Sequence, residues 1–292
     1  MSAINRKSLE DLYARYNRRE FVRPDPLQFL YDYEDPCDRE IVGLIASSLA
    51  YGRVAQVLSS VSSVLERMGP SPRTFLRRAS RESLWQTFAD FRHRFTTGGE
   101  ICSMLLGIKH IISRYGSLGA CFIAGMNYDS DTILPALSTF VKQLTLGANG
   151  TGNSLLPSPT KGSACKRLNL FLRWMVRQDN VDPGGWNAVP AAKLIVPLDT
   201  HMHRICLALK LTRRRQANMA TALEVTSAFR RIAPHDPVRY DFALTRLGIR
   251  QDANLFAFLG RCDMPKANWQ NWDRPSHLER IRGCFPQTTS RS

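Results

Sequence analysis

Residues 195–209 read IVPLDTHMHRICLAL and carry the clearest structural signal in the chain. A short apolar run stops at Pro197, and Asp199 stands directly before a helical pattern. Apolar side chains then recur at three- and four-residue spacing, at Met202, Ile205, Cys206 and Leu209. We therefore predict that Asp199 is the N-cap of a helix. A rigid carboxylate in that position either only caps the helix or also stabilises positive charge that develops on a bound substrate.

The same periodicity extends over most of the chain and predicts an all-α fold. Loops rich in Gly, Ser and Pro interrupt it at 147–162 and 179–190, and no convincing β-hairpin is indicated. At 292 residues the chain is long enough for one large domain or two modest ones. We predict helices at 7–20, 38–50, 54–68, 72–79, 80–88, 99–115, 117–125, 130–146, 163–177, 200–210, 217–232, 237–249 and 252–260.

The composition is typical of a folded cytosolic protein without a metal or cofactor. Hydrophobic residues make up 43% of the chain, and no window approaches the eighteen apolar residues of a membrane span. The N-terminus lacks the apolar core of a secretory signal. Seven cysteines are scattered without a CxxC pair, which predicts free thiols and neither a zinc nor an iron–sulfur site. His201 and His203 would lie on different sides of a helix, so they do not predict a metal site either.

The charge of the chain points to an anionic polymer as partner, with nucleic acid first. The formal net charge is +15. Only eight of the 40 basic residues are lysines. Arginine suits contacts to phosphates and base edges, although GC-rich coding also favours it. The scarcity of lysine leaves few candidates for chemistry that needs an amine.

One of those lysines stands at the start of a predicted helix. The segment SACKRLNLFLRWMVR, residues 163–177, has Ser163 as a candidate N-cap and Lys166 in the first turn. The positive end of the helix and partial burial both favour the neutral amine, which is the form that attacks carbon. The alternative is a solvated lysine that contacts a phosphate. A polar stripe follows along the same helix, at Lys166, Asn169, Arg173 and Arg177.

Lys166 and Asp199 together suggest cleavage of a glycosidic bond. Such cleavage develops oxocarbenium character on the sugar, which a nearby carboxylate stabilises. A lysine amine can attack the anomeric carbon and form a Schiff base, which couples base removal to strand scission. Thirty-three positions separate the two residues, and this spacing permits a contact without requiring one.

These residues resemble the helix-hairpin-helix (HhH-GPD) DNA glycosylase superfamily. VPLDTHMHRI (196–205) is similar to its signature, and DREIVGLIASSLAYGRVAQVLSSVSSVL (38–65) to its long early helix. With HDPVRYDFALTRLGI (235–249) and the helix at 163–177, the chain looks like an uncharacterised bacterial branch over about 38–250, with some similarity to archaeal 8-oxoguanine glycosylases. The region LLPSPTKGSACKR (155–167) departs from the superfamily, because the paired hairpin glycines that grip a phosphate are absent.

The resemblance implies a two-lobed helical array and a set of site residues. Residues 37–197 would form a central lobe, and residues 1–36 with 198–292 a second lobe. Asp199 would be the catalytic carboxylate and Lys166 the nucleophile, with Lys161 as runner-up and Lys193 as a weaker candidate. The base pocket and the gap left by an extruded base would involve Tyr51, Arg53, Gln56 and Asp241, where Asp241 has the alternative of a favourable charge at a helix start. The DNA backbone would be contacted by Arg167, Arg173 and Arg177.

Aromatic residues add two further candidates. The segment FRHRF holds Phe91, His93 and Phe95, which either stack on a base or form an aromatic core pair with the arginines outward. Trp269 and Trp272 are predicted as core or lid residues.

The sequence thus predicts a monomeric DNA glycosylase, with or without an AP-lyase step. It would act without a cofactor on double-stranded DNA that carries a damaged or modified base, in the cytoplasm at a bacterial nucleoid. Two alternatives stay open. One is a non-catalytic DNA- or RNA-binding protein on the same scaffold. The other is an enzyme on a different substrate, such as a nucleoside hydrolase.

Overall fold

The computed structural model describes residues 6–147, 153–249, 258–260 and 262, and this part of the chain is predominantly helical. The α-helices are α1 (Arg6–Tyr16), α2 (Pro36–Ser48), α3 (Val54–Met68), α4 (Pro72–Arg78), α5 (Arg81–Phe88), α6 (Gly98–Tyr115), α7 (Leu118–Ala124), α8 (Leu134–Leu146), α9 (Lys166–Val176), α10 (Thr200–Ala208), α11 (Met219–Arg230) and α12 (Asp241–Ile249). Short 3-10 helices lie at Arg19–Phe21, Pro26–Asp32, Pro159–Lys161 and Ala191–Lys193.

Most helices begin where the sequence provides a cap. A side-chain oxygen at the N-cap satisfies a backbone N–H that has no partner within the helix. Five such caps, besides that of α10, are Asp35 for α2, Ser71 for α4, Ser80 for α5, Ser117 for α7 and Asn218 for α11. Helix α6 begins with a reciprocal capping box between Thr97 and Glu100. These local signals explain why the predicted helices lie close to the observed ones.

The prediction that no β-hairpin would be present was wrong. Strands β1 (Arg92–His93) and β2 (Thr96–Thr97) pair in antiparallel register, with Arg92 opposite Thr97 and His93 opposite Thr96. Each strand has only two residues, so the period-2 pattern that identifies a strand is too short to stand out. The hairpin exists because side chains from α3 and the residues before it hold it in place.

Helix α2 lies in the centre of the fold and packs against α9. A cluster of buried aromatic rings, Phe122, Phe140, Phe171 and Trp186, forms part of the core beside it. The carboxylate of Glu40 on α2 is buried and accepts a hydrogen bond from Gly119 N at 2.9 Å and one from Trp186 Nε1 at 3.0 Å. Burial raises the pKa of Glu40, while these hydrogen bonds oppose the rise. Glu40 thereby ties the start of α7 to the core.

Helices from the two ends of the chain pack together. Helix α1 lies against α12, and the Glu10 carboxylate accepts from Tyr240 Oη at 2.7 Å and pairs with Arg239 Nη2 at 3.1 Å. Arg246 of α12 pairs with Asp25 at 2.9 Å. The division of the chain into lobes at residues 37 and 197 stays a prediction.

Some predictions fall beyond the described residues. Trp269 and Trp272 lie outside them, and so does most of the predicted helix at 252–260. Among the described helices, none has both the length and the apolar composition that crossing a membrane requires.

Candidate active site

Lys166 and Asp199 meet at the surface of the molecule. Lys166 is the first residue of α9, and Asp199 is the N-cap of α10. Lys166 Nζ lies 3.6 Å from Asp199 Oδ2, and the side chains are 31% and 35% exposed. Two polar side chains that are partly shielded yet open to solvent can both meet a ligand. The fold therefore brings together the two residues that the sequence singled out.

The two carboxylate oxygens of Asp199 face different partners. Oδ1 accepts a hydrogen bond from Met202 N at 2.7 Å, which fixes the side chain at the helix start, while Oδ2 faces Lys166. The backbone before Asp199 is anchored too, because residues 194–198 are buried and Val196 N donates to Thr226 Oγ1 at 3.0 Å. Capping the helix therefore leaves one oxygen available for electrostatic work.

Lys166 is placed by an irregular turn that the sequence did not reveal. The predicted N-cap, Ser163, instead forms a β-bridge with Asn218, and its Oγ accepts from Cys165 N at 3.2 Å. Cys165 is the actual N-cap of α9, and its backbone is left-handed at φ 47°. A left-handed non-glycine residue is strained and is kept only where its surroundings over-determine it. The turn keeps Lys166 in the first helical turn, as predicted.

The other candidate lysines lie in different surroundings. Lys193 donates to the carbonyl oxygens of Tyr128, at 2.7 Å, and of Ser130, so its amine is engaged by backbone. Lys161 ends the 3-10 helix before α9, is exposed, and lines a cavity of about 740 Å³ together with Lys142. The contact with Asp199 favours Lys166 over both as a nucleophile.

Three residues assigned to DNA contacts are buried in an ionic network, and this overturns those assignments. Arg173, Arg177 and Asp241 are 3%, 5% and 4% exposed. Arg173 pairs with Asp241, and with Asp182 at 3.1 Å; Arg177 pairs with Asp182 as well. Asp182 itself is 0% exposed. A phosphate or a base cannot reach these groups, so they hold α9, α12 and the turn after α9 together.

The network contains more carboxylates than arginines. Arg177 also pairs with Asp179 at 2.7 Å and with Asp236 at 2.9 Å. Burial lowers the pKa of Arg177, but the surrounding carboxylates raise it above its ordinary value by a larger amount. Burial raises the pKa of Asp179, but Arg177 and hydrogen bonds lower it further than burial raises it. Arg177 therefore keeps its charge in the interior.

Burial disfavours the charged forms of His201, Cys165 and Cys206 near Lys166 and Asp199. Burial lowers the pKa of His201, although Asp199 opposes the shift. Burial also raises the pKa of the Cys165 and Cys206 thiols, so neither thiol is activated. His203 Nε2 lies 2.8 Å from Arg214 O, and no group of three potential metal ligands comes together among the residues placed by the structure.

Tyr51, predicted to fill the gap left by a base, is engaged within the protein. Its hydroxyl lies 2.6 Å from Thr96 Oγ1 and donates to His93 O at 3.0 Å. The Arg167 guanidinium lies 5.0 Å from its ring centroid. These contacts do not favour insertion of Tyr51 into DNA. Arg53 and Gln56 are exposed at the start of α3 and stay available.

Arg167 has a structural role as well. Its Nη1 donates to Ser48 O at 2.7 Å and its Nη2 to Ser154 O. The residue thus links α9 to the end of α2 and to the loop before Pro159. A phosphate would have to compete with these carbonyl oxygens for Arg167.

The segment FRHRF divides between core and surface. Phe91 is 3% exposed and His93 is 2% exposed, whereas Phe95 is 82% exposed at the tip of the hairpin. His93 lies with its Nδ1 2.8 Å from Ser60 Oγ and its Nε2 3.1 Å from Tyr51 O. Neither alternative for the segment was complete, because it contains both a buried part and an exposed ring. Burial alternates from Phe91 to Arg94, but four residues are too few for this period-2 pattern to identify the hairpin from the sequence.

Comparisons with known proteins place the chain in a family whose function is unknown. A family model described as a protein of unknown function, DUF2400, matches residues 25–250. No curated protein and no solved structure matches the chain. The assignment to the helix-hairpin-helix DNA glycosylase superfamily was wrong, because the match is to this family and not to a glycosylase model. Since the match spans most of the sequence, the chain belongs to the DUF2400 family of proteins of unknown function.

Proposed function

We propose that this protein is a DNA glycosylase that removes a damaged or modified base and then cleaves the strand through a lysine Schiff base. The observation that carries the proposal is the contact between Lys166 Nζ and Asp199 Oδ2 at 3.6 Å, with both side chains about one third exposed. Thirty-three positions separate these residues in the sequence. Lys166 lies at the start of α9 and Asp199 at the start of α10, and the two helix starts expose both side chains at one place on the surface.

The chemistry requires an amine and a carboxylate with these properties. The neutral Lys166 amine attacks C1′ of the nucleotide, the C1′–N bond breaks, and the base leaves with the bonding electrons and takes up a proton. Positive charge develops on the sugar in this step, and Asp199 Oδ2 stabilises it electrostatically. The attacking nitrogen loses a proton, which Asp199 Oδ2, 3.6 Å from Lys166 Nζ, can accept. The sugar ring opens, its oxygen takes up a proton, and the Schiff base forms. Loss of a proton from C2′ then breaks the bond from C3′ to its phosphate oxygen, and the phosphate leaves with the bonding electrons.

The charge distribution supports DNA as the substrate. The net charge of +15 favours a polyanion. Since Arg173 and Arg177 are buried, phosphate contacts are proposed for exposed arginines on α10 and the turn that follows it. These are Arg204, Arg213 and Arg215.

The predicted lobes are part of this proposal. Lys166 belongs to the lobe at 37–197 and Asp199 to the lobe that begins at residue 198, so an extruded base would enter where the two meet. We propose that the protein acts on duplex DNA as a monomer. We also propose that it does so in the cytoplasm, at the nucleoid. The selection of the base would depend on the shape of the pocket around the pair.

Borohydride trapping tests the proposal directly. The wild-type protein is incubated with duplexes that contain 8-oxoguanine, uracil, hypoxanthine or an abasic site, and sodium borohydride reduces any Schiff base to a stable adduct. We expect an adduct that Lys166→Gln abolishes and that the control Lys161→Gln retains. Asp199→Asn should lose most base release and keep DNA binding, because Asn still caps α10.

Three results would contradict parts of the proposal. An adduct that persists in K166Q and disappears in K161Q would reassign the nucleophile. An equal loss of binding and base release in D199N would reduce Asp199 to a structural cap. Salt-sensitive DNA binding without an adduct or base release on any duplex would instead support the non-catalytic DNA-binding protein.

A further inference from the structure

The most exposed aromatic ring among the described residues stands at the tip of a rigid hairpin. Phe95 lies between β1 and β2 and is 82% exposed. Arg92 on β1 and Arg94 in the turn are exposed too, and the Arg94 guanidinium carbon lies 5.6 Å from the Phe95 ring centroid. Leaving a phenylalanine in water costs the free energy that burial would provide. An exposed ring bordered by cations is typical of a surface that stacks on bases.

The turn that presents Phe95 is strained and braced. Arg94 has a left-handed backbone at φ 53°. Its side chain packs over Gly52, where a Cβ would lie 2.7 Å from Arg94 Cδ. Gly52 is itself at φ 96°, so a substitution there would be strained for both reasons. Strain of this kind persists only where the surroundings enforce it, and it is concentrated at functional sites.

Tyr51 connects this hairpin to Arg167, the residue that follows Lys166 in the sequence. Tyr51 bonds to both strands, through His93 O at 3.0 Å and Thr96 Oγ1 at 2.6 Å. The Tyr51 ring lies beneath Arg167, with the guanidinium 5.0 Å from the ring centroid. Arg167 directly follows Lys166 on α9. A short series of contacts thus joins the hairpin to the start of α9, where Lys166 lies.

We propose that Phe95 stacks on the bases of duplex DNA at the position from which a nucleotide has left the helix, while Arg92 and Arg94 contact the adjacent phosphates. This inference rests on the proposed function, because it takes DNA as the ligand. An aromatic ring can contact any base through its face, so the stacking needs no particular sequence. The arginines favour a nucleic acid over an apolar protein surface as the occupant.

A duplex with a tetrahydrofuran abasic analogue, and with 2-aminopurine opposite the analogue, tests this stacking without requiring catalysis. The analogue has no aldehyde and cannot form a Schiff base. We expect wild-type protein to quench the 2-aminopurine fluorescence and Phe95→Ala to abolish the quenching. Phe95→Ala should also weaken binding about 5- to 150-fold, the range that corresponds to the loss of one base–aromatic stack. Phe95→Trp should restore both signals.

Tyr128→Ala is the matched control, since Tyr128 is an exposed aromatic residue, at 57%, on the segment between α7 and α8. It should leave the quenching and the affinity unchanged. Equal quenching and affinity in F95A and wild type would overturn the stacking role of Phe95. Failure of the proposed function looks different, because quenching would then occur without any borohydride adduct. Absence of DNA binding by the wild-type protein would overturn both proposals.

Discussion

Replacing Asp182 by Asn tests whether the buried ionic network holds α9 in place. Asp182 is fully buried, and its two oxygens face two different arginines. Oδ1 accepts from Arg173 Nε at 3.1 Å, and Oδ2 accepts from Arg177. Asparagine keeps the shape of the side chain but turns one of the two acceptors into an N–H donor. One arginine would then face a donor in the protein interior.

The expected cost follows from the partners that remain. Breaking a buried ion pair by removing one partner typically costs about 3–5 kcal/mol, since it leaves a buried charge without compensation. Arg173 keeps its pair with Asp241, and Arg177 keeps Asp179 among its partners. The cost should therefore lie at the lower end, at about 3 kcal/mol of the free energy of unfolding.

Urea denaturation followed by circular dichroism measures this change. The control is Asp90→Asn, which breaks the pair between Arg67 and Asp90, where the Asp90 side chain is 76% exposed. Solvent screens such a surface pair, so its loss should alter the unfolding curve far less. A decrease for D182N below about 1 kcal/mol, or one no larger than that of D90N, would refute the reasoning that these charges are buried and mutually compensated.

Two further predictions concern the helix cap and the buried histidine. Asp199→Ala should lower the free energy of unfolding by about 1 kcal/mol, because it removes the cap of α10. Asp199→Asn should lower it by only about a few tenths of a kcal/mol, since Asn caps a helix as well. Equal losses for the two variants in urea denaturation would show that the charge of Asp199, and not its capping hydrogen bond, stabilises this segment. Burial lowers the pKa of His93, against the effect of its hydrogen bond with Tyr51 O. The folded state thus resists protonation of His93. The contribution of the neutral imidazole to the free energy of unfolding is therefore complete above the unfolded pKa of about 6.5 and is lost as the pH decreases below it. His93→Gln should reduce this loss when stability is compared at pH 7.5 and pH 5.5, and an unchanged pH profile would exclude His93 as a contributor.

The helical character and the Lys166–Asp199 pair illustrate what local sequence predicts well. Asp199 was identified as a cap because its position before a run of apolar residues at helical spacing needs only neighbouring residues to recognise. Lys166 was placed in a first helical turn for the same reason. The contact between them was only permitted by the spacing, and the fold decides it through the strained Cys165 turn and the bond from Val196 N to Thr226.

The polar stripe of α9 shows where such reasoning stops. Arg173 and Arg177 recur at helical spacing, and this pattern is identical whether the stripe faces water or buried counter-ions. The carboxylates that decide between these surroundings come from the turn after α9 and from residues 236 and 241. Tertiary packing decides whether these carboxylates lie beside the arginines, and a local sequence pattern gives no information about tertiary packing.

The sequence alone determined the helical class, most of the helix starts, the basic charge and the two residues proposed for catalysis, because each depends on side chains a few positions apart or on composition. The tertiary structure decided which charges are buried and which ring is exposed. The fold buries the charged groups of Arg173, Arg177 and Asp241, and it leaves the Phe95 ring accessible to solvent. The physical reason is that burial is a property of the assembled chain, since it depends on which distant segments exclude water from a given side chain.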